Sequence, residues 1–372
     1  MNSEGINCMV RTYADLLDHV ARVVWGHGLS ASRDMIRTAI GSAYSSLPLL
    51  SAWRRYQAVQ RLYVAKPQNG LATLTGTTLE LTDSSWPTWA SGSTIILQGQ
   101  YCRVATRDSD TELTLGTLPD TSSEGNIPYT LTNDLHRLPD DFLNVRSVYI
   151  PHYNIPLAPS SFTDAVNRWG LLGGVAVPTC YWIEHCGSAK YLRVLPPPGS
   201  DLRLDVHYQR MPSQLQYTGR DQRDSGGTVS VNGVNVTGTG TSFVPEMVGC
   251  VIRIGDGTNP PTGPEGLAPY RAERSIVSVT DATHLKVDRA FSDTYSSVMY
   301  SITDVLDIDE YLYQVLVSQS LFHLGSMLGR PIDENSREAL RTALAADAVQ
   351  LGAMPLGQPP VPAVTGRMIL TS

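Results

Sequence analysis

The sequence predicts an α+β protein: a helical host domain built from N- and C-terminal helices plus a central antiparallel sheet, with two inserted β-rich modules. Three observations carry this expectation. Apolar residues recur at helical spacing near both ends of the chain. Short alternating runs, punctuated by Gly and Pro, fill the interval. One β-rich segment occurs twice, its copies opening at Gly70 and Gly227.

The two copies share an order of landmarks. The first reads Gly70-Leu-Ala-Thr-Leu-Thr-Gly76, then Trp89-Ala-Ser-Gly92-Ser-Thr-Ile-Ile-Leu97, Tyr101-Cys-Arg-Val104, Thr111-Glu-Leu-Thr-Leu115 and Tyr129-Thr-Leu-Thr-Asn133. The second reads Gly227-Thr-Val-Ser-Val231, Val248-Gly249-Cys-Val-Ile-Arg-Ile254, Tyr270, Thr283-His-Leu-Lys-Val287 and Tyr300-Ser-Ile-Thr303. A solenoid needs several adjacent units to bury a core, so two spaced copies are two insertions instead.

The remaining elements follow in order. Leu16, Leu17, Val20, Val23 and Val24 form one face of a helix over residues 12–25. Thr12 is its N-cap, with Asp15 three residues on, and Gly26 and Gly28 end it. Ser30 and Ser32 offer caps for a second helix from Arg33 to about Ser46, which Pro48 stops. Trp53-Arg-Arg-Tyr56 precedes a strand over Gln60-Arg-Leu-Tyr-Val64. Val145–Ile150, Tyr181–Glu184, Tyr191–Leu195 and Leu202–Tyr208 read as strands of the central sheet, and residues 151–180 read as irregular. Asn232-Gly233 between alternating valines predicts a type I′ hairpin, and residues 256–269 are an extra loop in the second copy. Asp309 to Leu328 and Glu334 to Leu351 read as helices; Pro355, Pro359, Pro360 and Pro362 forbid regular structure beyond them.

These elements divide the chain into an N-terminal helical part (1–65), a first β-module (66–133), a central sheet (134–225), a second β-module (226–305), C-terminal helices (306–351) and an extended arm (352–372). Helices at both ends must pack together as one host. The arm has apolar residues and no core of its own, so it needs a partner to bury them, or else stays disordered.

Composition narrows the function classes. An apolar content of 42% with 17% charged residues describes a folded chain short of charge. A formal net charge of −7 argues against DNA wrapping on an outer face, yet an acidic wall would let a duplex slide past. Five scattered cysteines, an odd number, form no disulfide framework and fit reduced cytosolic synthesis. The N-terminus reads as no signal peptide, and no run approaches the ~20 apolar residues that span a bilayer.

Constellations that carry chemistry are sparse. Cys180, His185 and Cys186 lack the spacing of a zinc site. Gly238-Thr-Gly-Thr241 opens onto Ser-Phe-Val-Pro rather than a helix, so a β-turn is expected over a phosphate cradle. Asp307 and Asp309 precede a helix and read as caps; they and Asp140-Asp141 are also paired carboxylates. Trp53, Arg54, Arg55 and Tyr56 with Arg61 read as a packed helix-to-strand corner, with base stacking as the alternative. Trp86 and Trp89 read as module core, with sugar stacking as the alternative.

Four stretches in order carry a resemblance. They are Ile36–Leu47 with Trp53-Arg-Arg-Tyr56, Leu138-Pro-Asp-Asp-Phe142 with Val145, Leu195-Pro-Pro-Pro198 with Leu204, Val206, Tyr208-Gln-Arg210-Met-Pro212, and the helical return from Asp309 with its proline-broken tail. Together the chain resembles the head-to-tail adaptor (connector) proteins of tailed bacteriophages, including short-tailed phage tail tubular proteins. Compact adaptors lack the two β-modules. The resemblance implies a virion structural protein of the neck or tail, assembled in the host bacterial cytoplasm, with no catalytic role, cofactor or membrane. It implies a ring of roughly twelve subunits under the portal protein, with heterologous contacts between copies. Double-stranded DNA would pass through the lumen without sequence-specific binding, and tail or nozzle proteins would bind below. It further implies that the arm reaches the portal, through Val364, Arg367, Met368, Ile369 and Leu370. The rival readings are a tail-tube, tail-tip or fibre-attachment protein, a glycan hydrolase using Asp140, Asp141 or Asp307, and a glycan-binding module using Trp86 and Trp89.

Overall fold

The computed structural model describes residues 11–350 except 27, 29, 118–124, 170–173, 256–258, 262–268 and 331–335. The fold is α+β: helices at the two ends of the chain flank three β-modules. It divides into two compact units, residues 56–211, and residues 1–55 with 212–372. This grouping differs from the one read from sequence, because the central sheet clusters with the first β-module rather than with the helices.

Helix α1 (Tyr13–Gly26) opens the described chain with the expected cap. Asp15 N donates to Thr12 Oγ1 (3.3 Å), and Thr12 N and Oγ1 donate back to Asp15 Oδ2 (3.4 and 2.8 Å). In α2 (Arg33–Leu50), Met35 N donates to Ser32 Oγ at 3.2 Å. Pro48 does not stop α2 as expected, since the helix runs two residues past it. Pro48 is buried there, and the indole of Trp53 donates to Leu47 O (2.8 Å), supplying one of the donors that a helix end lacks.

In residues 56–211, β1 (Gln57–Val64), β8 (Leu135–Arg137), β9 (Phe142–Ile150), β10 (Ile155–Pro159), β11 (Cys180–Cys186), β12 (Ala189–Leu195) and β13 (Leu202–Arg210) form the central sheet. Its order is β1-β13-β9-β10-β11-β12-β8. One departure from expectation is that β10 and β11 pair in parallel, so the sheet is not wholly antiparallel. The cause is a second departure: residues 151–180, expected to be irregular, hold β10 and helix α3 (Phe162–Trp169), and a parallel pair needs such a crossover. Val148, Ile150, Leu192, Val194, Leu204 and Val206 alternate inward to form the core.

The first β-module is a closed barrel of β2 (Gln68–Thr75), β3 (Thr78–Glu80), β4 (Thr94–Leu97), β5 (Gln100–Arg107), β6 (Glu112–Leu115) and β7 (Gly125–Thr132). Trp86 and Trp89 pack on its core, as expected; Trp86 is buried, lies 4.7 Å from the Tyr129 ring, and donates to Thr111 O at 3.0 Å.

The chain re-enters the helical unit through a short helix, α4 (Gln222–Ser225), and builds the second module. Its strands are β14 (Thr228–Asn232), β15 (Asn235–Thr239), β16 (Val251–Ile254), β17 (Ala272–Asp281), β18 (His284–Val287), β19 (Tyr295–Val298) and β20 (Tyr300–Thr303). The second module is a seven-stranded sheet rather than a closed barrel; its pairings repeat those of the first module, with its two end strands, β19 and β20, together in the place of β7, so it is the same barrel opened at that strand. The registers repeat too. Leu74 faces Leu79 as Val231 faces Val236, and Ile95 faces Leu131 as Ile252 faces Ile302. Trp86 on Tyr129 recurs as Phe243 on Tyr300, 5.7 Å between ring centroids. Backbone bonds also recur: Gly92 N to Val104 O as Gly249 N to Ile276 O, and Trp86 N to Asp110 O as Phe243 N to Ala282 O.

The expected hairpin at Asn232-Gly233 forms, shifted by one residue. Asn232 and Asn235 pair, so Gly233 and Val234 are the central residues, and Gly233 takes φ +63° as a type II′ turn requires at its first position. The type I′ geometry lies instead at Gln98-Gly99 in the first module, where both φ values are positive.

Helices α5 (Glu310–Leu328) and α6 (Ser336–Gln350) close the unit, with α2, α5 and α6 packed as neighbours. Helix α5 buries ten of its residues, and Gly329 caps it at φ +66° with Arg330 N donating to Gly325 O.

Candidate interaction surfaces

Most of the residues that sequence singled out for chemistry are engaged in packing or pairing; His185, on β11, is exposed. Cys180 and Cys186 stand at opposite ends of β11, about 20 Å apart at the rise of a strand. The Cys180 thiol donates to Leu195 O (3.5 Å), and Arg103 Nη1 donates to Cys186 Sγ (3.2 Å). Among the described residues, no three His, Cys, Asp or Glu side chains are grouped to hold a metal. Asp140 pairs with Arg137 at 2.9 Å, and Asp141 accepts from Tyr208 Oη at 3.3 Å. Of the two expected caps of α5, Asp309 takes the N-cap position and Asp307 does not. Asp309 holds the N-cap position without a side-chain cap bond; it accepts from Tyr311 Oη and pairs loosely with Arg55, while Asp307 pairs with Arg55 at 2.7 Å. Trp53 and Tyr56 are buried. The arm residues Val364, Arg367, Met368, Ile369 and Leu370 lie outside the described residues.

What sequence reasoning missed is how each barrel is fastened. In the helical unit, the face of β16, β17 and β20 sits against the start of α1. Arg253, 1% exposed, donates to Asp15 Oδ1 and Oδ2 at 3.0 and 2.8 Å, and pairs with Glu273 at 3.2 Å. Its guanidinium stacks 4.6 Å from the Tyr270 ring centroid. Burial pulls the Arg253 pKa down; the Asp15 hydrogen bond and the Asp15 and Glu273 charges outweigh it, so the net shift is upward. Ala14 N donates to Thr303 Oγ1 at 3.0 Å beside it.

The equivalent face of the first barrel, β4, β5 and β7, meets the central sheet. There Ile96 and Tyr101 stand opposite each other where the second barrel has Arg253 and Glu273. The cation comes from the sheet instead: Arg193 donates to Asp134 (2.8 Å) and Thr94 Oγ1 (3.4 Å), and pairs with Glu184 (2.9 Å). Arg193, Asp134, Trp182, Tyr101, Ile96 and Thr94 line a small cavity at this junction. One barrel design is thus attached twice by the same face, with the arginine on opposite sides of the two junctions. The signal in the sequence was Arg253, a charged residue in the otherwise apolar run Cys250-Val-Ile-Arg-Ile254.

The segment after Arg210 is pinned by a second set of buried groups. Asp304 accepts from Tyr217 N (2.7 Å) and Gln216 N, and Asp224 accepts from Gly219 N (2.9 Å). Arg37 pairs with Asp221 at 2.9 Å, and Arg220 pairs with Asp18. Burial raises the pKa of both Asp304 and Asp224.

With one face of each barrel committed inward, apolar side chains remain at the surface: Leu71 on the first barrel, Val244, Val248 and Val277 on the second, and Phe322 and Met327 on α5. Compared with known proteins, the chain matches no family model and no curated sequence.

Proposed function

We propose that this chain is a virion structural protein, a head-to-tail adaptor that docks as a ring under the portal protein, extends the DNA channel and offers a platform to the tail. It acts by binding rather than by bond chemistry. The observation that carries the reading is that one barrel is built twice and fastened twice by the same face, which leaves the remainder of each barrel available as surface. The four-stretch resemblance supplies the family, and the apolar surface residues suit permanent interfaces. In this reading the four long helices build the ring body, the barrels meet neighbours or tail proteins, and DNA passes without sequence-specific contact. The arm, with Val364, Arg367, Met368, Ile369 and Leu370, reaches the portal.

Deleting Gly352–Ser372 tests the arm. The truncated chain should keep its thermal unfolding profile and lose co-sedimentation with the portal of the same genome. Undiminished co-sedimentation removes the arm from the interface.

A further inference from the structure

Asn-Gly occurs twice in the chain, at Asn69-Gly70 and at Asn232-Gly233, once in each barrel. This dipeptide carries a reaction of its own. Glycine has no Cβ to shield its backbone nitrogen, so that nitrogen can reach the side-chain carbonyl carbon of the preceding Asn. The two atoms meet only when the Asn backbone rotates out of its extended form. A fold that holds both residues therefore prevents the reaction, and one that leaves them loose permits it.

The two barrels hold the dipeptide differently. Asn69 and Gly70 lie inside β2, where both pair with β7, opposite Thr130 and Tyr129. Rotation between them opens that ladder. The Tyr129 ring also crowds Gly70: a Cβ there would lie 2.9 Å from it, and Gln68 Nε2 fixes the ring by donating to its hydroxyl at 3.1 Å. Asn232, by contrast, is the last paired residue of β14, opposite Asn235, and Gly233 lies beyond the ladder. Asn232 is exposed, and a Cβ on Gly233 would meet nothing within 4 Å. Among the described residues, neither the Asn232 side chain nor the Gly233 N–H is held by a hydrogen bond.

We propose that Asn232 is a self-modification site, which deamidates in the folded chain while Asn69 does not. Gly233 N loses its proton to solvent base and attacks Asn232 Cγ. The Cγ–Nδ2 bond breaks and ammonia leaves, closing a five-membered imide. Water then opens the imide. Addition at Cγ gives aspartate; addition at the main-chain carbonyl gives isoaspartate, which has one more carbon in the backbone. That carbon enters where the fold has no slack. The two-residue turn sets the register of β14 on β15. Val234 O accepts from Val287 N (3.0 Å), and Gly233 O accepts from Phe291 N (3.1 Å). Phe291 is buried in the core of the module, so displacing the turn loosens that core. The inference does not depend on the adaptor reading.

The test ages the full-length chain, folded and in urea, and follows the peptides carrying Asn69 and Asn232 by mass spectrometry. Isoaspartate is read by isoaspartyl methyltransferase labelling. In urea both sites should convert at similar rates. In the folded chain Asn232 should convert at least about tenfold faster than Asn69, which reacts only when its ladder opens. Mildly alkaline buffer should speed the conversion, because the attacking nitrogen must lose its proton. Aged wild type should melt lower in step with its isoaspartate content. Asn232→Gln, whose ring closure would be six-membered and slow, should age without that loss. Fresh Asn232→Asp should melt as wild type does, which assigns the loss to the added backbone carbon rather than to the charge. An Asn232 still intact in the folded chain once the urea sample has converted overturns the proposal. So does an Asn69 that converts as fast as Asn232 in the folded chain. Conversion at Asn232 that leaves the melt unchanged keeps the site and removes its effect on the fold.

Discussion

At the scale of single residues, the groups that decide stability are buried charges with assigned partners. Removing one partner of a buried pair leaves the other uncompensated. Asp15→Ala, which leaves Arg253 with Glu273 as its remaining carboxylate, should destabilise the helical unit by on the order of 2–3 kcal/mol in denaturant titration. Arg253→Ile places at this position the residue that the first barrel carries, Ile96. Combined with Asp15→Leu it should lie closer to wild type than Asp15→Ala does. Asp224 makes the opposite case. It is fully buried, and its Oδ1 has no hydrogen-bond partner. Its folded-state pKa is raised above the ordinary 3.8, so the folded state holds the proton longer than the unfolded chain does. Its contribution is fully present below that ordinary value and is lost as pH rises through the folded one. At pH 7 Asp224→Asn, whose amide oxygen can still accept from Gly219 N, should raise stability. The gain should vanish under acid, below about pH 4. A variant less stable than wild type at pH 7 would contradict this account. His136 titrates in the other sense: burial lowers its pKa from 6.5, so its share of stability is lost as pH falls below that value.

At the scale of elements, the barrels were legible as a repeat and illegible as barrels. The order of Gly, Tyr and Thr-x-Leu landmarks marks equal strands, and period-two alternation marks their inward faces. Closure depends on which strands become neighbours, and no local pattern states that. The helix boundaries at Thr12 and Ser32 were legible because a cap is a local contact. Pro48 was misread because it sits in the last turn of α2, whose end is capped by a bond from Trp53, beyond the helix, to Leu47 O. Helix α3 was missed although Ser161 and Asp164 sign its start, with Asp164 N donating to Ser161 Oγ. Asp309 was read correctly as the N-cap position, but neither carboxylate makes a side-chain cap; both pair with Arg55, which is distant in sequence. Glycine at the head of each barrel gives a prediction here. At Gly227, φ is +83° and a Cβ would lie 2.3 Å from Thr239 O; at the equivalent Gly70 a Cβ would meet only the Tyr129 ring, at 2.9 Å. A ring can shift and a paired carbonyl cannot. Gly227→Ala should cost roughly 1–3 kcal/mol or more, and Gly70→Ala should cost less, in matched thermal melts.

At the scale of the whole molecule, chain continuity separates the two units. Residues 56–211 are one continuous stretch, whereas the other unit is assembled from both ends of the chain. A fragment of residues 56–211 should therefore fold alone, with dispersed amide resonances and a cooperative melt, while residues 212–372 without 1–55 should not. An unfolded 56–211 fragment would contradict the division. The proposed function rests on a resemblance, because a docking surface is chosen by its partner and leaves no motif comparable to a metal or nucleophile site. The central claim is that this chain layers under a portal. Its most direct test is electron microscopy of the full-length chain mixed with the portal of the same genome. The account predicts a ring beneath the portal, with the helices forming its body and the barrels extending from it. A chain that shows no portal association, and is found instead at a tail tip or on glycans, would contradict it.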